Sequence, residues 1–221
     1  MDTATDARGG TGGLRERKRL RTRQAISDAA IRLFLSEGFE TVSVTRVADA
    51  AEVSKPTLFK YFPTKEDLVL HRFADHEDEA ARTVRDRPAG VPPLDALHRH
   101  LLDGLERRDP ITGLSDRPEA VELSRLLLAT PSLVARLADY TARTEALLAH
   151  ALAEAVGADP GDLACRLAAR QVVGAQQLLG MDNCRRVSSG MPLDAAHREA
   201  VADADRAFAL LRNGLGGLLA R

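Results

Sequence analysis

The segment Ser43–Asp67, SVTRVADAAEVSKPTLFKYFPTKED, decides the fold, because three helix starts fall within it. Ser43 caps a short helix whose apolar residues Val44, Val47, Ala48 and Ala51 recur at helical spacing. Glu52-Val53 breaks that pattern. Ser54 caps a second short helix with Pro56 in its first turn, where a missing N–H costs nothing. Leu58 and Phe62, four apart, share its inward face. Thr57, Lys60 and Tyr61 fall on a face turned away from it. Pro63 stops the helix, and Thr64 with Asp67 forms a capping box that opens a third. Two short helices joined by a tight turn, the second with a basic and hydroxyl-rich face, describe a helix-turn-helix and its recognition helix.

Working outward, the charge is distributed unevenly. The 221 residues carry a net charge of only −1, which says nothing about nucleic acid. Residues 1–70, however, hold 12 Lys/Arg against 10 Asp/Glu, and all four lysines lie in the first 65 positions. The run Arg15, Arg17, Lys18, Arg19, Arg21, Arg23 is interrupted by one acid, Glu16. A basic arm leading into a helix-turn-helix is an electrostatic footprint for phosphate, although alone it reads equally as a solvated tail. Arg19, Arg21 and Arg23 on the arm, Thr45 and Arg46 on the first short helix, and Lys55, Thr57, Lys60, Tyr61 and Lys65 are the expected DNA-binding residues. The expected partner is a near-palindromic DNA operator, contacted by a homodimer.

The stretch TLFKYFPTKEDL, residues 57–68, resembles the signature of the TetR family of transcriptional regulators, with its aromatic-x-Tyr-Phe core and following Lys. The resemblance covers roughly Arg23 to Leu70. It implies a helical, ligand-holding domain behind the DNA-binding one. Two positions depart from the pattern. Glu52 stands at the turn position usually filled by Gly, where a positive φ stores about 1–2 kcal/mol. Phe59 stands where the family often has Tyr, so a phosphate contact by that hydroxyl is not carried over.

Along the whole chain the patterns are helical and no alternating strand is found, so the expected class is all-α. Residues 1–13 hold four glycines and no apolar periodicity, and are expected to be a disordered tail. The DNA-binding domain is expected over 14–63, with a core of Phe34, Phe39, Val44, Val47, Leu58 and Phe62. Gly38 suits the left-handed position that ends the first helix. Residues 64–221 are expected to form an effector-binding and dimerisation domain. Its helices are placed at about 64–87, 93–107, 117–129, 131–156, 160–179 and 193–219.

In that larger domain, polar residues on apolar stripes are the candidates for a ligand pocket: His98, Tyr140, Thr144 and Gln171, with Leu101, Leu105, Leu126 and Leu127 as lining. That lining favours an apolar or amphipathic small molecule. The last helix carries a heptad stripe including Val201, Ala204, Phe208, Leu211 and Leu215, and the helix before it is rich in small residues, Ala168, Gly174 and Ala175. These eight are the expected dimer interface. A ligand is expected to act by shifting the fourth helix and so the separation of two recognition helices.

No Gly-rich phosphate loop, nucleophile elbow or metalloprotease motif is present, so neither an enzyme nor a cofactor is expected. His98 and His100, two apart, face different ways on a helix, while His71 with Asp75 and His76 with its acidic neighbours read as solvated surface rather than metal sites. Without an apolar leader or membrane-length run, and with only Cys165 and Cys184, a cytoplasmic protein with reduced thiols is expected. The reading is a ligand-responsive DNA-binding regulator, most simply a repressor. The alternatives left open are a DNA-bending protein without effector, and a helical enzyme using the small domain for docking.

Overall fold

The computed structural model describes residues 10–115 and 117–219, and among these every regular element is helical. Two compact units part between His71 and Arg72. The first contains α1 (Gly10–Glu37), α2 (Val44–Ala50), α3 (Lys55–Tyr61) and the first turn of α4 (Asp67–Asp75). The second contains α5 (Glu79–Arg85), α6 (Pro93–Glu106), α7 (Pro118–Ala129), α8 (Pro131–Val156), α9 (Leu163–Ser188) and α10 (Leu193–Leu219), with a single 3-10 turn at Pro110–Thr112. Of the expected disordered tail, residues 1–9 lie outside the described residues, whereas 10–13 belong to α1. Arg17 donates to the Gly13 carbonyl at 3.1 Å, a local bond that supports the helix there.

The first unit is built on caps. Ser43 accepts from the Arg46 N–H and Ser54 from the Thr57 N–H, each at 3.2 Å. Thr64 and Asp67 exchange both bonds of the capping box, at 3.1 and 3.2 Å. Gly38, at φ +89, closes α1 by donating to Phe34, and Phe39 tilts back onto Phe34 with ring centroids 4.9 Å apart. Ile26, Phe34, Phe39, Val47, Leu58 and Phe62 are buried together, while Val44 of the expected core is only half-buried. The start of α4 is tied to this unit. The Ser27 hydroxyl donates to Leu68 O at 3.1 Å, and the His71 ring meets Phe62 edge-on at 5.7 Å.

In the second unit two boundaries differ from expectation. The helix expected over 64–87 breaks at residues 76–78. There His76, Glu77 and Glu79 donate to carbonyls three residues back instead of four, and the Glu77 carboxylate is drawn to Arg143 at 2.8 Å. The helix expected to end at Leu179 runs on to Ser188. Gly113, at φ +75, lets the turn at 110–113 approach α9, since a Cβ on it would come within 2.1 Å of the Gly180 carbonyl oxygen. The core forms between α5, α6, α8, α9 and α10, around Val84, Leu97, Leu148, Leu152, Val172 and Phe208. A second cluster holds Leu105, Leu114, Leu179, Ala196, Ala200 and Ala204.

Candidate functional site

The helix-turn-helix is set by backbone bonds at the end of α2. Val53 N–H donates to Ala48 O at 3.0 Å and Glu52 N–H to Asp49 O at 3.1 Å. This is a Schellman ending with Glu52 at the left-handed position, and its φ is +54. α3 then leaves Lys55, Phe59 and Lys60 exposed, with Thr57 and Tyr61 half-buried beside them. Phe59, set aside in the sequence for lacking a hydroxyl, is 40% exposed and so belongs to the outward face. The Ser54 and Thr57 hydroxyls lie 2.8 Å apart.

Of the expected DNA-binding cations, Arg19, Arg21, Arg46, Lys55 and Lys60 are exposed, as is Thr45. Arg19 pairs with Glu16 at 2.8 Å and Arg46 with Glu37 at 2.7 Å, and the carboxylates raise both guanidinium pKa values. Exposed pairs of this kind contribute little to stability, so a phosphate can displace the acid. Two of the expected cations have partners inside the unit. Lys65 donates to the Phe39 carbonyl and sits over the rings of Phe39 and Phe34, at 4.5 and 5.6 Å from their centroids. Arg23 is half-buried with its guanidinium 5.9 Å from the Phe62 centroid. Both are turned into the unit because aromatic faces attract desolvated cations.

The second unit contains a cavity of about 150 Å³. Leu101, Leu105 and Thr144 line it, as the sequence suggested. His98, Leu126, Leu127, Tyr140 and Gln171 do not. The His98 ring stacks on Phe208 at 4.6 Å; its Nδ1 accepts from Arg212 at 2.9 Å and its Nε2 lies 3.0 Å from Asp205, a packed network between α6 and α10. Burial, followed by the Arg212 charge, lowers its pKa. Tyr140 is buried between the guanidiniums of Arg136 and Arg143, at 5.3 and 4.4 Å. Leu126 and Leu127 pack elsewhere on α7, and Gln171 is exposed on α9. The polar lining includes His76, Glu79, His100, Arg107, Asp109 and Asn183, none of them expected at a ligand pocket. Glu79 joins two of them, with His76 Nδ1 on one carboxylate oxygen and His100 Nε2 on the other at 3.0 Å. His100, then His76, hold its carboxyl far below the usual carboxylate range, and Glu79 in turn raises His76. Among the described residues no group of three His, Cys, Asp or Glu is placed to hold a metal ion.

Comparison with known proteins accounts for both units. Residues 26–71 match the family model "Bacterial regulatory proteins, tetR family", and residues 91–186 match "MftR C-terminal domain". The HTH-type transcriptional regulator TcmR of Streptomyces glaucescens is 33% identical over 153 residues, 68% of this chain and 67% of TcmR. The chain belongs to the TetR family. It is thus a DNA-binding transcriptional regulator. The HTH-type transcriptional repressor KstR of Rhodococcus jostii is 30% identical over 139 residues, 58% of this chain and 65% of KstR. The solved structure of Salmonella enterica GusR, 24% identical, covers 89% of this chain and 95% of its own with a TM-score of 0.55, a likeness of fold.

Of the residues expected at the contact between copies, six pack within this chain. Ala168, Ala204, Phe208 and Leu211 are buried in the chain's own core, and Val201 and Ala175 pack against it. The heptad stripe of α10 is therefore an intramolecular seam. Gly174 is exposed, and the Leu215 side chain lies outside the described residues. α9 instead exposes Leu163, Leu167, Leu178 and Met181 at helical spacing with Gly174, and α10 exposes Leu210. Their spacing was visible in the sequence, but the buried stripes on the same helices masked it. No helix among the described residues is long and apolar enough to cross a membrane.

Proposed function

We propose that this chain is a dimeric repressor whose α3 enters the major groove of a near-palindromic operator and whose second unit binds a small-molecule effector. The observation that carries the reading is the exposed face of α3, with Lys55, Phe59 and Lys60 outward, together with the exposed cations Arg19 and Arg21 of α1. Lys60 approaches base edges; Lys55, Arg46, Arg21 and Arg19 neutralise phosphates; the Phe59 ring offers an apolar contact for a thymine methyl. A two-fold site needs two recognition helices about 34 Å apart, or a multiple of that, so two copies must be joined. The exposed stripe Leu163, Leu167, Gly174, Leu178 and Met181 of α9, with Leu210 of α10, suits a four-helix contact between copies.

Selection of binding sites from random duplex DNA tests the reading. The expected result is an enriched inverted repeat for the wild type and a changed half-site for Lys60→Ala. Enrichment of no sequence would overturn the repressor reading and favour a DNA-bending protein.

A further inference from the structure

The cavity in the second unit has a size and a polar end that select a class of ligand, and this argument rests on the effector reading above. Its volume of about 150 Å³ matches that of an engineered apolar cavity known to take up benzene, so it accommodates one six-membered ring. The body of the lining is apolar, with Leu101, Leu105, Ile111, Leu179, Ala200 and Ala204 contributing. Gly104, also in the lining, leaves room for the turn at 110–112, since a Cβ on it would come within 3.1 Å of Thr112 Cγ2.

The polar end is organised by Glu79. Its two carboxylate oxygens are acceptors only, so each imidazole turns an N–H towards it: Nδ1–H from His76 and Nε2–H from His100. The other ring nitrogens, Nε2 of His76 and Nδ1 of His100, make no hydrogen bond to described residues, and the two side chains remain 36% and 35% exposed. With Glu79 fixing the tautomer, Nδ1 of a neutral His100 is an acceptor. A charged His76 presents Nε2–H as a donor. Glu79 raises the pKa of His76, so that donor persists to higher pH than in a free imidazole. A donor and an acceptor, each on an imidazole held by the same carboxylate and lining the same cavity, complement a hydroxyl group, which uses both. The charges of the lining argue against an anion. His76 and Arg107 supply positive charge while Glu79 and Asp109 supply negative charge, so the lining is balanced. A ligand carboxylate would meet Glu79 and Asp109 without a surplus of cations to hold it.

We propose that the effector site takes a neutral, single-ring aromatic molecule bearing a hydroxyl group, its ring among Leu101, Leu105 and Leu179 and its hydroxyl on His76 and His100. His76 directly follows Asp75, the last residue of α4, so the ligand contacts the segment at which the chain leaves that helix.

Calorimetric titration of the full chain with phenol, toluene and benzoate tests the proposal. Phenol is expected to bind at least tenfold more tightly than toluene, which fills the same space without the hydroxyl, and more tightly than benzoate. His100→Phe, which keeps a ring of similar size, is expected to abolish the preference for phenol over toluene. Preferred binding of benzoate, equal binding of toluene and phenol by the wild type, or absence of phenol binding would each overturn the ligand class. The ranking by the wild type decides even if the variant fails to fold. Site selection by the ligand-free chain is an independent readout. A chain that selects an operator yet ignores phenol contradicts this ligand class alone, whereas one that selects none contradicts the regulator reading.

Discussion

The same left-handed backbone device ends helices in both units, on a glycine at some ends and on a side chain at others. At the end of α8, Ala158 N–H returns to Ala153 O at 2.9 Å around Gly157 at φ +68; at the end of α2, Val53 N–H returns to Ala48 O at 3.0 Å around Glu52 at φ +54. α8 places the residue without a Cβ where the left-handed backbone asks for it, as does α1 with Gly38. α2 carries a side chain there and accepts the strain, in the turn that sets α3 against α2, and α6 does the same with Arg108 at φ +52, Asp109 N–H returning to Gly104 O at 3.0 Å. The units differ in packing. The first unit is fixed by capping hydroxyls and a few aromatic rings, and it turns two cations, Lys65 and Arg23, onto those rings. The second is fixed by long Leu- and Ala-rich helices whose side chains have alternative neighbours. Local chemistry decides the first unit and competition among faces decides the second.

The largest expected effect breaks the second unit. Phe208 is fully buried and stacks on His98, so Phe208→Ala should cost about 3–5 kcal/mol in thermal or denaturant unfolding. Light scattering on the folded fraction should show an unchanged oligomeric state. A stable variant with a lost dimer would return the α10 stripe to the surface between copies. Next, Lys65→Ala should destabilise the chain by about 1–3 kcal/mol, through loss of the cation–ring contacts and of the bond to the Phe39 carbonyl. Circular dichroism melting checks this, and an unaltered melt would show that the lysine is not spent on packing.

Glu52→Gly sharpens the contrast in the opposite direction. Relief of about 1–2 kcal/mol of strain, offset in part by the greater unfolded freedom of glycine, should leave a gain of up to about 1 kcal/mol. The reciprocal change, Gly157→Glu, should lose stability, and equal effects of both changes in one direction would contradict the account. The smallest effect concerns pH. Glu79 is held below its ordinary range, so its contribution is present above about pH 4.5 and lost as pH falls through the depressed value. His76 is raised, so its contribution is present below about pH 6.5 and lost as pH rises through the raised value. The stability gap between the wild type and Glu79→Gln should therefore be widest in mildly acidic solution and narrow on both sides. A gap that is flat with pH would show that the His76–Glu79–His100 group carries no linked protons.

The residues explain how much of this was legible in advance. Ser43, Ser54, Thr64 and Asp67 act within three residues of themselves, and their bonds form as the spacing requires. The charge of Lys65 pointed to phosphate, and only the folded positions of Phe34 and Phe39 redirect it. In the second unit the helices were visible but their neighbours were not. Phe208 and Leu178 both lie on helical apolar stripes, yet one is in the core and the other on the surface. His76, Glu79 and His100 are drawn together from a turn, α5 and α6, with no local spacing to announce them.

The account's central claim is that α3 and the arm meet DNA with their exposed cations while Lys65 serves the interior. The salt dependence of operator binding, measured by fluorescence anisotropy for the wild type, Lys55→Ala and Lys65→Ala, tests it most directly. Each phosphate contact contributes about −0.9 to the slope of log K against log salt, so loss of Lys55 from both copies of a dimer should make the slope shallower by roughly 2. The account predicts that change for Lys55→Ala and an unchanged slope for folded Lys65→Ala. A slope reduced by Lys65→Ala and untouched by Lys55→Ala would contradict it.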